Sequence, residues 1–246
     1  MKISMCIPCV DKHVELVKCF LDSISYYTKK PDEVIISLSP KFMKLNLNNE
    51  KKLIEDKYNF VKCLVQDKIT CGGMNLNKCF DIVTGDIIFI LGADDILHPQ
   101  CIEYVSELFQ KNLDLKMALF GYVLQNKRDY NLSSYKNISP ISDTEIFSDF
   151  SLPSGKDKRG PGFVCPPLII NNFNYIDSNN LYYENKIIFS TGALCISKKC
   201  SETIKFPNTF SGEDLKFIHD VYRNFKNTIY INKIFHFYCR SGTWIT

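Results

Sequence analysis

Residues 72–97 read Gly72-Gly73-Met74-Asn75-Leu76-Asn77-Lys78-Cys79-Phe80-Asp81-Ile82-Val83-Thr84-Gly85-Asp86-Ile87-Ile88-Phe89-Ile90-Leu91-Gly92-Ala93-Asp94-Asp95-Ile96-Leu97. The glycine pair opens a helix that the apolar spacing carries through Val83, and Gly85-Asp86 turns the chain. Ile87 to Leu91 is then a strand with an apolar residue at every position. A strand without polar alternation is buried on both faces, the condition of a parallel sheet covered by helices. At its end it delivers Asp94 and Asp95 to the edge where open parallel sheets bind ligands. Two adjacent carboxylates there suit a hard cation completed by water and phosphate. They equally suit the start of the turn before Pro99.

Working outward, the same alternation repeats upstream. Ile3 to Pro8 is a short apolar run, and Asp11 can cap a helix whose Val14, Val17, Leu21 and Ile24 recur at steps of three and four. Beyond Pro31, Val34 to Leu38 reads as a second buried strand. Residues 42–57 have a weak helical period, and Phe60 to Val65 is a third strand. Downstream, the pattern predicts a helix over 100–111 and a strand from Met117 to Leu124. Gln125 to Asn185 is irregular and rich in Asn, Ser, Pro and Gly, a length that marks a binding region rather than a linker. Order returns with Ile187 to Ile196, a helix from Asp214 to Phe225 and a strand from Thr228 to Ile231. With no internal repeat and no sharp composition break, residues 1–246 read as a single α/β domain.

Composition narrows the function. Hydrophobic residues make up 45% and aromatics 13%, ample for a core and contrary to disorder. The net charge is +3, and the 26 lysines are scattered among acids instead of forming a basic stripe, which weighs against nucleic acid as a partner. Lys156-Asp157-Lys158-Arg159 is the exception, a phosphate contact or a solvated turn. The longest apolar run, Ile87 to Leu91, falls far short of the roughly 20 residues a membrane span needs. Met1 leads straight into a strand without the long apolar region of a secretory signal. Eleven cysteines, mostly inside apolar runs, read as core residues in a reducing cytoplasm. No pair of Cys-x-x-Cys units has zinc spacing.

Three further groups carry chemistry. Ser211-Gly212-Glu213-Asp214 precedes an amphipathic helix, where acids cap a terminus or serve as a general base. Cys6-Ile7-Pro8-Cys9 lies between the first strand and first helix, the placement of a thioredoxin-like dithiol, although such a fold leaves more than half of this chain unexplained. His236, in the tail His236-Phe237-Tyr238-Cys239-Arg240-Ser241, is a packed core residue or a ligand to a metal or phosphate.

In their order, these groups resemble the family 2-like glycosyltransferases of the GT-A fold. The resemblance rests on Ser4 to Pro8, Leu21 to Ile24, Asp32 to Ile36, Gly72-Gly73, Asn77 eight residues before Gly85-Asp86, the acidic motif, and Glu213-Asp214 about 120 residues later. It implies a Rossmann-like, mostly parallel sheet flanked by helices, with residues 1–97 holding the donor and 98–246 the acceptor and the base. It also implies a nucleoside-diphosphate sugar as donor, most simply a UDP-sugar, with a glycan or other hydroxyl acceptor and Mn²⁺ or Mg²⁺. By position, Pro8, Val10, Asp11, Gln66, Asp67, Gly73, Asn77, Ala93, Arg240 and Ser241 would contact the donor. Asp94, Asp95 and His236 would hold the metal, Asp214 would be the catalytic base and Glu213 would lie near the acceptor. One base without a covalent intermediate implies inversion at the anomeric carbon. The chain departs from the family pattern at Gly92, where the first motif acid is expected, and at Val10, Leu76 and Cys79, where Tyr, Arg and Gly are expected. Two other readings stand beside this one: a non-catalytic sugar-nucleotide or glycan-binding module on the same fold, and a nucleotidyltransferase. The latter lacks its Gly-rich basic loop, since Cys9-Val10-Asp11-Lys12 stands in that place.

Overall fold

The computed structural model describes residues 1–42, 45–125, 191–210, 212–225 and 227–239. The donor half alternates β1 (Ile3–Val10), α1 (Val14–Ser23), β2 (Glu33–Ser39), α2 (Leu47–Lys57), β3 (Val61–Val65), α3 (Gly72–Phe80) and β4 (Ile87–Ile90). There follow β5 (Ile96–Leu97), α4 (Cys101–Lys111), β6 (Met117–Gln125), β7 (Leu194–Ser197), α5 (Lys198–Thr203), α6 (Glu213–Phe225) and β8 (Thr228–Cys239). They form one sheet in the order β3-β2-β1-β4-β7-β6-β8-β5. The first four strands and the β6–β8 pair are parallel, while β7 runs against both its neighbours and β5 against β8.

β1, β2 and β4 bury both faces, as parallel pairing under helices on both sides requires, while β3 at the edge leaves Lys62 exposed. One face packs under Val17 and Leu21 of α1, Ile54 of α2 and Val105 of α4. The other packs under Leu76 and Phe80 of α3, Cys200 of α5 and Phe217 and Val221 of α6. Among the described residues no helix is long and apolar enough to cross a membrane.

What opens this sheet is a proline. β1 pairs with β2 through Val10, but with β4 only through Cys6, whose carbonyl takes the last bond from the Leu91 N–H. Alternation along the strand puts the Pro8 nitrogen on that same β4 side. With no N–H to offer, Pro8 cannot donate the next bond of that ladder, which ends short of it, the place a strand tolerates proline. The two strands therefore part at their C-terminal ends, at the switch point where connections leave in opposite directions.

The Gly85-Asp86 pair has its physical account at the other edge. The Gly85 N–H donates to Ser4 Oγ at 2.9 Å, and a Cβ on Gly85 would collide with that oxygen. Glu33 accepts from the Thr84 N–H and from the Ser4 hydroxyl, contacts that hold its carboxyl below the usual range against the opposing effect of burial. By taking the backbone after residue 83, this cluster ends α3 at Phe80 rather than at Val83 as the spacing predicts.

Other expectations shift. Asp11 does not cap α1; it begins a 3-10 turn, Asp11–His13, and no side chain caps it. β8 runs 12 residues where four were expected, and α5 carries no pattern strong enough to have been foreseen. Residues 126–190, which hold nearly all of the irregular region and Lys156 to Arg159, lie outside the described residues.

The dithiol reading fails on geometry. Both cysteines are strand residues three apart, so they face opposite sides of the sheet, Cys6 in one core cluster and Cys9 in the other. Burial pushes both thiols well above their ordinary values. In native protein, iodoacetamide should label half-buried Cys19 well before Cys6 or Cys9, which should react only as fast as the fold opens. Peptide mass spectrometry at timed quenches checks this, and prompt labelling of Cys6 or Cys9 at pH 6 would contradict it.

Candidate functional site

Where the β1–β4 pairing ends, a crevice separates the segment Val10 to His13 from the segment Gly92 to Asp95, narrowing to 3.9 Å between His13 and Asp94. Asp11, almost wholly buried, does not face into it. Its Oδ1 accepts from the Lys12 and Phe42 N–H groups at 2.8 and 2.9 Å, and its Oδ2 from that of Lys41 at 3.1 Å. Asp11 thus ties the turn after β1 to the segment after β2 and shapes the wall.

Across the crevice, the Asp95 N–H closes a turn on the Gly92 carbonyl at 3.2 Å. This turn separates the two acids. The Asp94 side chain keeps 18% exposure, whereas that of Asp95 keeps 4% and folds back over Gly92. A Cβ on Gly92 would stand 2.6 Å from Asp95 Oδ2 and 3.3 Å from Asp94 Oδ1. A first acid at 92 would therefore have to displace the Asp95 carboxylate, which occupies the space a side chain there would need.

His236 reaches the same place from β8. It is fully buried, with its ring 6.0 Å from those of Tyr122 and Tyr238. Its Nε2 lies 3.1 Å from Asp95 Oδ2, yet neither ring nitrogen makes an aligned hydrogen bond among the described residues. A Cβ on Gly192 would stand 2.5 Å from that nitrogen, so a second glycine leaves it room. Two ligand atoms about 3 Å apart without hydrogen-bond alignment have the spacing of neighbours on one divalent cation with bonds of about 2.1 Å. Asp95 and His236 fit a cation in that respect, with Asp94 beside them. Among the described residues no three His, Cys, Asp or Glu side chains form a ready metal cluster, so water and phosphate oxygens would complete the shell.

His13 is a residue the sequence reading missed. Its Nδ1 lies 3.9 Å from Asp94 Oδ2 across the crevice. Burial, helped by the charge of Lys12, brings the imidazole down from its ordinary 6.5 to about 4, so it is neutral at pH 7.

The second acidic pair arrives by packing. Gly212, with φ +71°, makes the left-handed turn into α6, a conformation that favours glycine. Glu213 then lies against the start of α3, where a Cβ on Gly72 would be 3.6 Å from its Oε1. Burial raises the Glu213 carboxyl above the usual range, and the charge of Asp214 acts in the same direction. Asp214 is half-buried beside it. Because α3 starts at the C-terminal end of β3, the Glu213-Asp214 pair and the Asp94-Asp95 pair share one edge of the sheet.

Two expected donor contacts serve this packing instead. A Cβ on Gly73 would come within 2.8 Å of Phe206 Cβ, so Gly73 lies beneath that residue, away from the crevice. The Asn77 amide donates to the Phe206 carbonyl and accepts from the Phe206 N–H, both at 2.9 Å, and so ties α3 to the segment before α6. The buried amide of α3 that faces the ligand edge is Asn75, bonded to Ser37, Ser39 and Thr70, and Ser37 is bonded in turn to Gln66. No motif flagged this network. Asp67 is exposed, Ala93 buried and Val10 half-buried, while Arg240 and Ser241 lie outside the described residues.

Residues 4–179 match the family model for Glycosyl transferase family 2. The chain belongs to that family. No curated protein sequence matches it. Among solved structures it is similar to S. aureus TarS 1-349 in complex with UDP-GlcNAc, at TM-score 0.66 and 13% identity, covering 98% of this chain and 59% of that one. It is also similar to glucosyl-3-phosphoglycerate synthase from Mycobacterium tuberculosis in complex with Mn²⁺, UDP and glucosyl-3-phosphoglycerate, at TM-score 0.57 and 12% identity, covering 96% and 71%. A mannosyltransferase from Pyrobaculum calidifontis in complex with GDP-Man and Mn²⁺ matches at TM-score 0.55 and 9% identity, covering 94% and 56%. At such identities the likeness is one of fold, and that fold is the mixed α/β, mostly parallel GT-A architecture of these neighbours. The chain spans about six tenths of the length of TarS 1-349.

The His13 shift sets a pH window. The folded state disfavours the proton that an unfolded His binds near 6.5, so stability should fall as pH drops from about 6.5 towards 4 and be unaffected by this group above 6.5. Urea unfolding in EDTA should show a shallower acid loss for His13→Gln than for the parent chain. A His13 ring proton titrating near 6.5 by NMR would refute the shift.

Proposed function

We propose that this chain is an inverting, divalent-cation-dependent glycosyltransferase domain that moves a sugar from a nucleoside-diphosphate donor, a UDP-sugar, to a hydroxyl on a glycan or another acceptor. The observation that carries the reading is the family match together with an acidic turn at the open switch point of the sheet. UDP-GlcNAc, UDP and GDP-Man in the similar structures, two of which also hold Mn²⁺, support the donor class and the cation. Thiols buried without disulfides among the described residues suit a reducing, cytoplasmic setting.

Each role follows from the chemistry. A diphosphate leaves readily when its charge is offset, and a bound Mn²⁺ or Mg²⁺ would supply that charge. Asp94, Asp95 and His236 would hold it, with neutral His13 lining the opposite wall of the crevice. Gln66 and Asp67, at the end of β3, would meet the nucleotide base. An acceptor hydroxyl becomes a strong nucleophile when a base takes its proton, and Asp214 at the start of α6 would be that base, with Glu213 next to the acceptor. With one base and no covalent intermediate, the sugar is displaced once and its configuration inverts. The donor would bind residues 1–97, and residues 98–246 would supply the acceptor site and the base.

Two measurements test this. UDP should raise the melting temperature more with Mn²⁺ than in EDTA, because ligands that bind only the folded state stabilise it by mass action. Asp94→Asn should remove the Mn²⁺-dependent part and leave the melting temperature without ligand unchanged. Equal stabilisation in EDTA and in Mn²⁺ would end the cation assignment.

Asp214→Asn keeps the shape of the side chain and removes the proton acceptor, so turnover should fall by roughly a hundred- to ten-thousand-fold while UDP affinity holds. If Asp214 were only a helix cap, the variant would lose about 1 kcal/mol of stability and keep its turnover. UDP release by the parent chain separates an enzyme from a module that only binds.

A further inference from the structure

A polar network is buried at the ligand edge of the sheet, where packing alone calls for apolar side chains. Asn75, near the start of α3, is 2% exposed, and Ser37 and Ser39 of β2 are fully buried. Asn75 Oδ1 accepts from the Ser37 hydroxyl at 3.0 Å and the Thr70 hydroxyl at 2.8 Å, and its Nδ2 donates to Ser39 Oγ at 3.1 Å. Ser37 Oγ accepts from Gln66 Nε2 at 3.2 Å. The Gln66 N–H is also fixed, donating to the Leu38 carbonyl at 2.8 Å beyond the last residue of β3.

The order of donors has a consequence. A serine hydroxyl has one proton, and that of Ser37 is committed to Asn75. Towards Gln66 it can then only accept, so the amide must turn its NH₂ inward and its carbonyl oxygen outward. Buried amides are costly unless every partner is present, and apolar residues of the same shape would pack here without that demand. We propose that Asn75, acting through the Ser37 hydroxyl, is the positioning residue that fixes the Gln66 carbonyl towards the ligand and so selects a base with an imide N–H, uracil, over cytosine, whose ring N3 only accepts. This rests on the nucleotide-sugar reading above and deepens it.

The test is calorimetric titration of UDP and CDP, both with Mn²⁺, into the parent chain and three variants. The two pyrimidines match in size and differ in the polarity of this edge. The parent chain should prefer UDP by at least about tenfold, the scale of one unmatched buried hydrogen bond. In Asn75→Leu the Ser37 proton loses its acceptor and turns to the Gln66 carbonyl, the amide flips, and the UDP-to-CDP ratio should fall by about tenfold or more. Asn75→Asp keeps acceptors for all three hydroxyls and should retain the preference, an effect a purely structural role would not produce. Should Asn75→Leu fail to fold, Ser37→Ala frees the amide of its anchor and should bring the ratio towards one. A parent chain without preference, a ratio unchanged in the folded Asn75→Leu or Ser37→Ala protein, or a ratio lost equally in Asn75→Asp would overturn the inference while leaving a nucleotide site in place. A parent chain that binds no nucleoside diphosphate would overturn both readings.

Discussion

The site depends on a hydrogen bond that cannot form. Pro8 faces the β4 side of β1 with no N–H, and the ladder between the two strands ends at Cys6. Had β4 continued alongside, the last residues of β1 would be paired on both sides and the sheet would be closed where ligands enter. Instead, Leu91 makes the final bond and Gly92 turns away, so the chain after β4 is free to present carboxylates across a gap from Val10 to His13. Parallel sheets place their strand ends in register, which makes one such parting enough to open a crevice bounded by several loops.

Close backbone approaches then furnish that crevice. Gly73 and the Asn77 amide lock Phe206 onto α3, and the chain that follows begins α6 with its two acids against the same edge. Phe206 stacks on Phe217 with ring centroids 4.0 Å apart, so the clamp is continuous with the core under α6. On the far side, Gly92 and Gly192 leave room for a carboxylate and an imidazole that lie inside the protein rather than on its surface. A buried carboxylate and imidazole 3.1 Å apart are costly to desolvate, and each offsets part of that cost for the other.

Much of this was legible in the chain. An unbroken apolar run marked β4 and largely apolar runs marked β1 and β2 because a strand covered on both faces has little polar side to show, and helical steps in residues 14–24 and 101–111 marked α1 and α4 because their outer faces are wet. Asp94 and Glu213-Asp214 were found where the order of motifs put them. The misses share a cause. Asn77 was expected to contact the donor, and its amide bonds Phe206, while Asn75 is the more deeply buried amide of the same helix, since two positions on one helix differ in facing by the neighbours they meet. Asp11 was read as a cap facing a ligand, but backbone from residues 41 and 42, distant in sequence, draws its carboxylate inward. The dithiol spacing was real, yet the pleat puts its two thiols on opposite faces.

By itself the sequence determined the class of sheet, the edge at which chemistry is placed and the acids that reach it. Periodicity and local turns encode these, and they depend on neighbours a few residues away. Only the tertiary structure decided that Asp95 and His236 meet inside while Asp94 stays in contact with solvent, that Gly92 is an empty place filled by another residue's carboxylate, and that Gln66 bonds the Ser37 hydroxyl, itself bonded to Asn75. Those outcomes join residues up to 141 positions apart, between Asp95 and His236, and pairing over such a span is settled by packing and hydrogen-bond satisfaction in three dimensions rather than by any pattern along the chain.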